Sequence, residues 1–199
     1  ALYNKAAILG DEGKIDESLK ILNEQEEICS KLNFASGLID NLILRASLLK
    51  DQAKFLEALD LLDMAEKRCH ETGFLVKSLE VFDKRASTYL ASGDVIYSYQ
   101  ASLKQEILSR QLNQIQWLAY SYGNQALVKN REGNFVEALK LLEEQEALCL
   151  KMNDSRQLLV CQGNQANVLC QMGRYNEALS KIEEEEKIVA GKYNPNNWQ

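Results

Sequence analysis

Residues 124–142 read NQALVKNREGNFVEALKLL, and the pattern of this stretch recurs along the chain at an interval of 40 residues. Its small residue recurs as Ala6, Ala46, Ala86, Ala126 and Ala166. Its glycine recurs as Gly13, Gly93, Gly133 and Gly173, with Ala53 in the remaining slot. Self-similarity at such a period indicates a solenoid, in which each repeat buries its apolar face against the next.

Each copy has the pattern of a helical hairpin. Apolar residues before the glycine recur with helical spacing, and a second amphipathic segment follows it. The glycine supplies the turn, because it adopts φ angles that other residues avoid. A matching small slot on the second segment lets the two helices approach closely, and its members are Ser18, Ala58, Ser98, Ala138 and Ala178. The chain is therefore expected to be all-α.

The spacing of small residue, glycine, aromatic residue and Glu-Ala-Leu resembles that of the tetratricopeptide repeat. It is clearest in Ala126, Gly133, Phe135, Glu137, Ala138 and Leu139, and in Ala166, Gly173, Tyr175, Glu177, Ala178 and Leu179. The repeat length is similar to that of the long-helix subclass found in kinesin light chain. Residues 97–99 read Tyr-Ser-Tyr and depart from the triplet, and the usual proline after the second helix appears only as Pro195. The resemblance implies a right-handed α-solenoid of five hairpins, with ten antiparallel helices.

The composition favours one continuous array. The chain has a single proline in 199 residues, and no Ser/Gly-rich linker divides it. We expect repeats at about residues 1–34, 35–74, 75–114, 115–154 and 155–192, followed by a tail over residues 193–199. The first helix enters late in the repeat, so we expect the chain to be a fragment of a longer protein. Lys181, Glu185 and the acidic run 183–186 indicate that the fifth repeat closes the array.

Charge and hydropathy exclude several classes of partner. No apolar run is long enough to cross a membrane and no signal peptide is present, so we expect a cytoplasmic protein without a membrane partner. The net charge of −6 argues against nucleic acid, since phosphate neutralisation needs a basic stripe.

No enzyme chemistry is predicted. The five cysteines include no C-x-x-C pair, and Cys29, Cys69 and Cys149 share one repeat slot. We interpret that slot as core, because free cysteine behaves as a small buried hydrophobe. His70 is the only histidine, and on a helix it points away from its neighbour Cys69, which disfavours a catalytic pair. No P-loop or dinucleotide-binding motif occurs. We therefore expect no catalytic residue, no metal and no cofactor.

One polar slot recurs inside the apolar pattern. Glutamate fills it in every copy, and a long hydrogen-bond donor stands 21 residues earlier. The glutamates are Glu26, Glu66, Glu106, Glu146 and Glu186, and the donors are Lys5, Arg45, Arg85, Gln125 and Gln165. Since the two slots are nearly symmetric about the turn, we expect each glutamate to meet the donor of its own hairpin. This structural polar ladder is favoured over a solvated face, because a polar slot inside an apolar stripe is costly unless satisfied.

The resemblance implies that the first helix of each hairpin lines a concave groove, and helical spacing selects the side chains on that face. The candidate groove residues are Asn4, Asp40, Ile43, Leu44, Asp51, Glu80, Asp83, Lys84, Tyr120, Asn124, Leu127, Arg131, Val160, Asn164 and Asn167. Carboxylates dominate the first three repeats, which favours a basic partner. Tyr120, Leu127 and Val160 offer apolar sockets, as do Ile43 and Leu44, and the asparagines resemble those that bind peptide backbone in related repeats. An exposed face without a ligand is the alternative.

These features predict a non-catalytic scaffold or adaptor. It would bind a protein or peptide segment that carries basic and apolar residues. The alternative function is a regulatory sensor segment of a larger enzyme or transcription factor, in which ligand binding changes the superhelical pitch.

Overall fold

The computed structural model describes the backbone of residues 1–192 and the side chains of residues 1–184. Within that part of the chain every regular element is a helix. The helices are α1 (Leu2–Asp11), α2 (Ile15–Lys31), α3 (Ala35–Asp51), α4 (Phe55–Thr72), α5 (Leu75–Ser92), α6 (Val95–Gln111), α7 (Ile115–Arg131), α8 (Phe135–Met152), α9 (Ser155–Gln171) and α10 (Tyr175–Lys192). Successive pairs form five hairpins, so the predicted all-α repeat fold is confirmed. The expected tail, with Pro195, lies outside the described residues, as do the side chains of Glu185 and Glu186.

The helices form two compact units, Ala1–Ala101 and Ser102–Gln199, with the boundary inside α6. In unit 1, the largest cluster of buried residues lies among α3, α4 and α5 and includes Ile39, Leu62 and Val81. In unit 2, the corresponding cluster lies among α7, α8 and α9 and includes Leu142 and Val168. Each cluster therefore draws on a hairpin and the first helix of the next, as expected of stacked repeats.

Residues with a positive φ angle lie in two series of turns, one within the hairpins and one between them. The turn inside each hairpin has a positive φ at Gly13, Ala53, Gly93, Gly133 and Gly173. A second series, between hairpins, has a positive φ at Asn33, Gly73, Asn113 and Asn153. Glycine and asparagine tolerate this left-handed conformation better than other residues do. Ala53, at φ 59°, adopts it without that advantage.

The two helices of a hairpin meet at small residues. Ala6, Ala46, Ala86, Ala126 and Ala166 are all buried, with at most 5% of the residue exposed. The Ser18 hydroxyl donates to the carbonyl oxygen of Ala6 at 2.7 Å. The Ser98 hydroxyl donates to that of Ala86 at 2.8 Å. These hydrogen bonds between a side chain and the opposite backbone require the close helix approach that the small slots predict.

The polar ladder joins neighbouring hairpins, so the prediction that it lies within each hairpin was wrong. Each described glutamate accepts from the donor 19 residues later, on the first helix of the next hairpin. The pairs are Glu26–Arg45 at 3.0 Å, Glu66–Arg85 at 2.5 Å, Glu106–Gln125 at 2.8 Å and Glu146–Gln165 at 2.9 Å. The reason is geometric: the polar slot faces the helix that stacks on the hairpin, rather than its own partner helix. The side chain of the fifth glutamate, Glu186, lies outside the described residues.

The repeated cysteine slot lies in the core. Cys29, Cys69 and Cys149 are each at most 5% exposed. All five cysteines of the chain are free thiols. Among the described helices, none is both long enough and apolar enough to cross a membrane.

Candidate binding faces of the first helices

In unit 1, side chains from three first helices lie close together. Tyr3 of α1 is within electrostatic reach of Glu80 of α5 and Asp40 of α3. Burial, with a smaller contribution from the two carboxylates, raises the pKa of Tyr3 to about 12. The repeat period thus brings residues that are far apart in sequence onto one surface, which we call the unit 1 face.

The carboxylate of Asp40 is not free for a partner, because it forms an ion pair and hydrogen bond with Lys77 of α5. The side chains of Lys77 and Asp40 are only 25% and 28% exposed. Lys77 was missing from the predicted face. It stands one helical turn before Glu80, at a spacing of three residues that could have identified it from the sequence.

Charged residues of both signs lie close together on α5. Burial raises the pKa of the Glu80 carboxyl, Lys84 and Lys77 oppose the rise, and Asp40 and Asp83 add to it. The ammonium of Lys84 lies 3.5 Å from the carboxylate of Asp83. Three carboxylates therefore face two ammonium groups, and the unit 1 face is less acidic than the sequence predicted.

The other residues predicted for the first two repeats are spread out. Ile43 is only 1% exposed and packs in the core of unit 1, so its prediction as an apolar socket was wrong. Its helix is covered by neighbours on more than one side, which buries the edge of the expected face. Leu44 is partly buried against Leu22 and Leu48. Asn4 and Asp51 are exposed, and Lys50 lies 3.4 Å from Asp51.

In unit 2, α7 and α9 enclose a pocket of about 260 Å³. Leu127 and Asn130 contribute from α7, and Gly163, Asn164 and Asn167 contribute from α9. The buried side chains of Ala126, Leu142 and Val168 also line it and are at most 2% exposed. This unit 2 pocket brings together three predicted residues, Leu127, Asn164 and Asn167. No charged side chain is among its described lining residues.

Asparagine amides dominate the polar part of the unit 2 pocket. The Asn167 side-chain oxygen accepts from the Gln171 amide at 2.6 Å and from the Asn130 amide at 3.4 Å. The Oδ1 atom of Asn130 is buried and has no hydrogen-bond partner among the described residues. Asn130 was not predicted, although it stands three residues after Leu127, a spacing that places it on the same side of α7.

An aromatic pair lies on α7. The rings of Trp117 and Tyr120 pack edge to face with their centroids 5.2 Å apart. The Gln116 amide donates to the Tyr120 hydroxyl at 3.0 Å. Trp117 was not predicted; it occupies the same repeat slot as Lys77, one turn before the predicted face. That single omitted slot therefore accounts for a missed residue in each unit.

The remaining predicted residues of unit 2 do not line the pocket. The Asn124 amide donates to the buried Gln105 of α6 at 3.3 Å, so this asparagine is engaged within the protein. Arg131 is exposed at the end of α7. Val160, near the start of α9, is 50% exposed. Asn164 and Asn124 share a repeat slot yet have different environments.

The thiols of the core are poor nucleophiles. Burial raises the pKa of Cys149 to about 11 and that of Cys161 to about 12. His70 is exposed on α4. Among the residues that the structure describes, no group of three or more His, Cys, Asp or Glu side chains is placed to hold a metal ion.

Comparison with known proteins identifies the repeat. Residues 117–188 match the sequence model of the tetratricopeptide repeat family. No curated protein sequence matches the chain significantly.

Solved structures share the fold over almost the whole chain. BtubC (BKLC) from P. vanneervenii aligns with a TM-score of 0.74 and 17% identity, covering 96% of this chain and 80% of that one. Nearly identical TPR-like repeats from Podosopora anserina, described as a kinesin light chain, align with a TM-score of 0.65 and 18% identity, covering 97% and 95%. A STAND signal transduction ATPase with a tetratricopeptide repeat sensor, from Pyrococcus horikoshii, aligns with a TM-score of 0.73 and 11% identity, covering 94% of this chain and 28% of that one. The TM-scores show likeness of fold, and at these low identities they show the fold alone.

Proposed function

We propose that this chain, of which residues 117–188 match the tetratricopeptide repeat family model, is a non-catalytic scaffold that binds a protein or peptide segment through the faces of its first helices. Proteins of this repeat class are generally interaction scaffolds, and stacked repeats present extended surfaces suited to that role. The two candidate surfaces are the unit 1 face and the unit 2 pocket.

The observation that carries the proposal is that the first helices α1, α3 and α5 contribute Tyr3, the Asp40–Lys77 ion pair and Glu80 to one surface, the unit 1 face. Three separate first helices supply these side chains, so an elongated partner would contact all three. Carboxylates outnumber ammonium groups there, and Asp51 adds an exposed negative charge at the end of α3. We propose that this face takes a segment with basic residues, steered by charge complementarity.

The unit 2 pocket is suited to bind an uncharged part of a partner. Its apolar base and its asparagine amides are suited to an apolar side chain and to peptide backbone. Tyr120 and Val160, which do not line the pocket, remain proposed contacts on the same first helices. Asn124 is a weaker candidate, since its amide is already bound to Gln105.

We also propose that the partner is neither nucleic acid nor a membrane and that the protein acts in the cytoplasm. A net charge of −6 disfavours phosphate neutralisation. Five free cysteines suit a reducing compartment. Catalysis has no support from the thiols, whose pKa values are raised by burial.

A sensor segment of a larger enzyme or transcription factor is the second candidate. Its support is the likeness of fold to the P. horikoshii ATPase with a tetratricopeptide repeat sensor, of which this chain covers 28%. Since fold alone does not carry function, this is an analogy.

The experiment is binding to an array of short random-sequence peptides at low and high ionic strength. A variant with both Asp51→Lys and Asp83→Lys is compared with the wild type. We expect peptides rich in Lys and Arg to bind the wild type, and the variant to bind them more weakly and with less dependence on salt. Salt screens exposed charge pairs beyond roughly 10 Å at 0.1 M, so the salt slope reports the charge pairing itself.

A control variant carries Glu24→Lys and Asp60→Lys, which make the same change in net charge on exposed positions of the second helices α2 and α4. We expect this control to bind like the wild type. Equal loss of binding in both variants would mean that only net charge matters. No loss in the Asp51/Asp83 variant would refute the unit 1 face as a binding surface.

A further inference from the structure

Gly163 occupies the middle of α9 without a packing reason for being glycine. A Cβ atom built there meets nothing within 4 Å. Glycine is among the poorest helix formers, so a glycine inside a helix needs another explanation. At the equivalent position of α7, Gly123 has one: a Cβ there would lie 2.9 Å from the Gln145 amide nitrogen.

The open space beside Gly163 belongs to the unit 2 pocket, because Gly163 lines it. Glycine is used where another backbone must approach closely, since it has no side chain to hold that backbone away. The position of Gly163 is therefore the natural crossing point for the main chain of a partner over α9.

The polar groups of the pocket match a peptide main chain. Among the residues that the structure describes, none forms a hydrogen bond with the Asn164 amide, which offers an oxygen acceptor and an NH₂ donor. Asn130 contributes a side-chain oxygen without a partner. An extended peptide carries N–H donors and C=O acceptors along its length, and each must be paired when it leaves water.

The apolar lining and the volume of the unit 2 pocket indicate which kind of partner side chain it can hold. Ala126, Leu142 and Val168 provide a buried apolar lining. A volume of about 260 Å³ is below the roughly 300–1,000 Å³ of pockets that take drug-sized ligands, which favours a single side chain over a whole small molecule. The described lining residues include no charged group to pair with a Lys, Arg, Asp or Glu side chain, so an uncharged side chain is favoured at this point.

We propose that the unit 2 pocket receives one aliphatic side chain of an extended peptide, whose main chain crosses α9 at Gly163 and is bound by the Asn164 and Asn130 amides. This inference rests on the proposed peptide-binding function and adds to it the class of side chain and the crossing point.

The test is an NMR titration of the ¹⁵N-labelled protein with single-residue model compounds. The probes are N-acetyl-L-leucine N-methylamide, its glycine analogue and its lysine analogue, which share the same backbone groups. We expect the leucine compound to shift the Gly163 backbone amide and the Asn164 side-chain NH₂ signals in a saturable way. The glycine and lysine compounds should bind at least about tenfold more weakly.

Two variants complete the test. Gly163→Leu places a side chain in the pocket, starting from a Cβ that meets nothing described within 4 Å, and we expect it to remove the saturable shifts. Asn176→Leu, at an exposed position of α10, is the matched control and should titrate like the wild type.

Equal shifts with all three compounds, or unchanged binding in Gly163→Leu, would overturn the inference. If this occurs while the array still shows binding that depends on Asp83, only the pocket inference fails. If the array shows no binding either, the proposed function fails with it.

Discussion

Arg85 of α5 donates to the carboxylate of Glu66 on α4 at 2.5 Å, and this pair joins the second hairpin to the third. The same slots pair at the other described junctions, with glutamine replacing arginine in unit 2. Both side chains are mostly buried, at 11% exposure for Arg85 and 21% for Glu66. The recurring polar slot is thus a device for stacking hairpins rather than for closing them.

The pair predicts a difference between two glutamates of α4. Glu66→Ala should lower the free energy of unfolding by about 1.5–3 kcal/mol, the usual range for hydrogen bonds to charged groups. Glu57→Ala, at an exposed position of the same helix, should change it by no more than about 0.5 kcal/mol. Urea denaturation of the two variants measures both values. Equal changes in the free energy of unfolding would show that the polar ladder does not stabilise the protein.

Two substitutions in the turns within hairpins should change the stability of the protein in opposite directions. Gly133→Ala should destabilise the protein by about 0.5–1 kcal/mol, because alanine is strained at φ 76°. Ala53→Gly should stabilise it by a similar amount, since relief of strain at φ 59° exceeds the added entropy of the unfolded chain. Thermal melts of both variants provide the measurement. Stabilisation by Gly133→Ala would contradict the assigned backbone conformation.

The two mid-helix glycines should respond differently to alanine. Gly163→Ala should stabilise the protein by about 0.8–1 kcal/mol through helix propensity alone. Gly123→Ala should be at least about 1 kcal/mol less stable than Gly163→Ala, because its Cβ would lie 2.9 Å from the buried Gln145 amide. Urea denaturation decides, and identical stabilities would show that Gln145 can move aside freely.

The pKa of Glu80 makes stability depend on pH. Burial raises its pKa in the folded protein above the usual 4.5. Between that value and the raised pKa the folded state binds more protons than the unfolded state, so its contribution to stability falls as pH rises. Glu80→Gln should therefore be more stable than the wild type at about pH 7, and the difference should vanish near about pH 4. Thermal melts of the wild type and Glu80→Gln across this pH range provide the measurement. A stability difference that does not depend on pH would exclude titration of Glu80 as its cause.

The sequence predicted the hairpins because a repeat multiplies each weak signal. The positions of Gly13, Gly133 and Gly173 marked turns through the φ angles that they adopt. Asn113 and Asn153 mark the turns between hairpins at the same period, although these turns were not predicted. In both series of turns, the preference of glycine and asparagine for a positive φ angle is sufficient to predict the turn.

The site was harder to predict, because helical spacing shows which residues share a face of a helix but not how many of them are exposed. Ile43, at one edge, is buried by neighbouring helices. Beyond the other edge, Lys77 pairs with Asp40, and Trp117 packs against Tyr120. The pairing of Glu66 with Arg85 likewise depends on which helices stack. Periodicity within one helix carries no information on its neighbours.

The proposed function requires that partners bind the first helices rather than the second. The most direct measurement is photo-crosslinking in cells, with p-benzoylphenylalanine replacing Asp83 on α5 or Asn164 on α9. Exposed positions on second helices, Asp60 of α4 and Glu143 of α8, are the matched controls. The account predicts protein adducts from the first-helix positions and none from the controls, with the Asn164 adduct lost when Gly163→Leu is added. Adducts from Asp60 or Glu143, with none from Asp83 and Asn164, would contradict it.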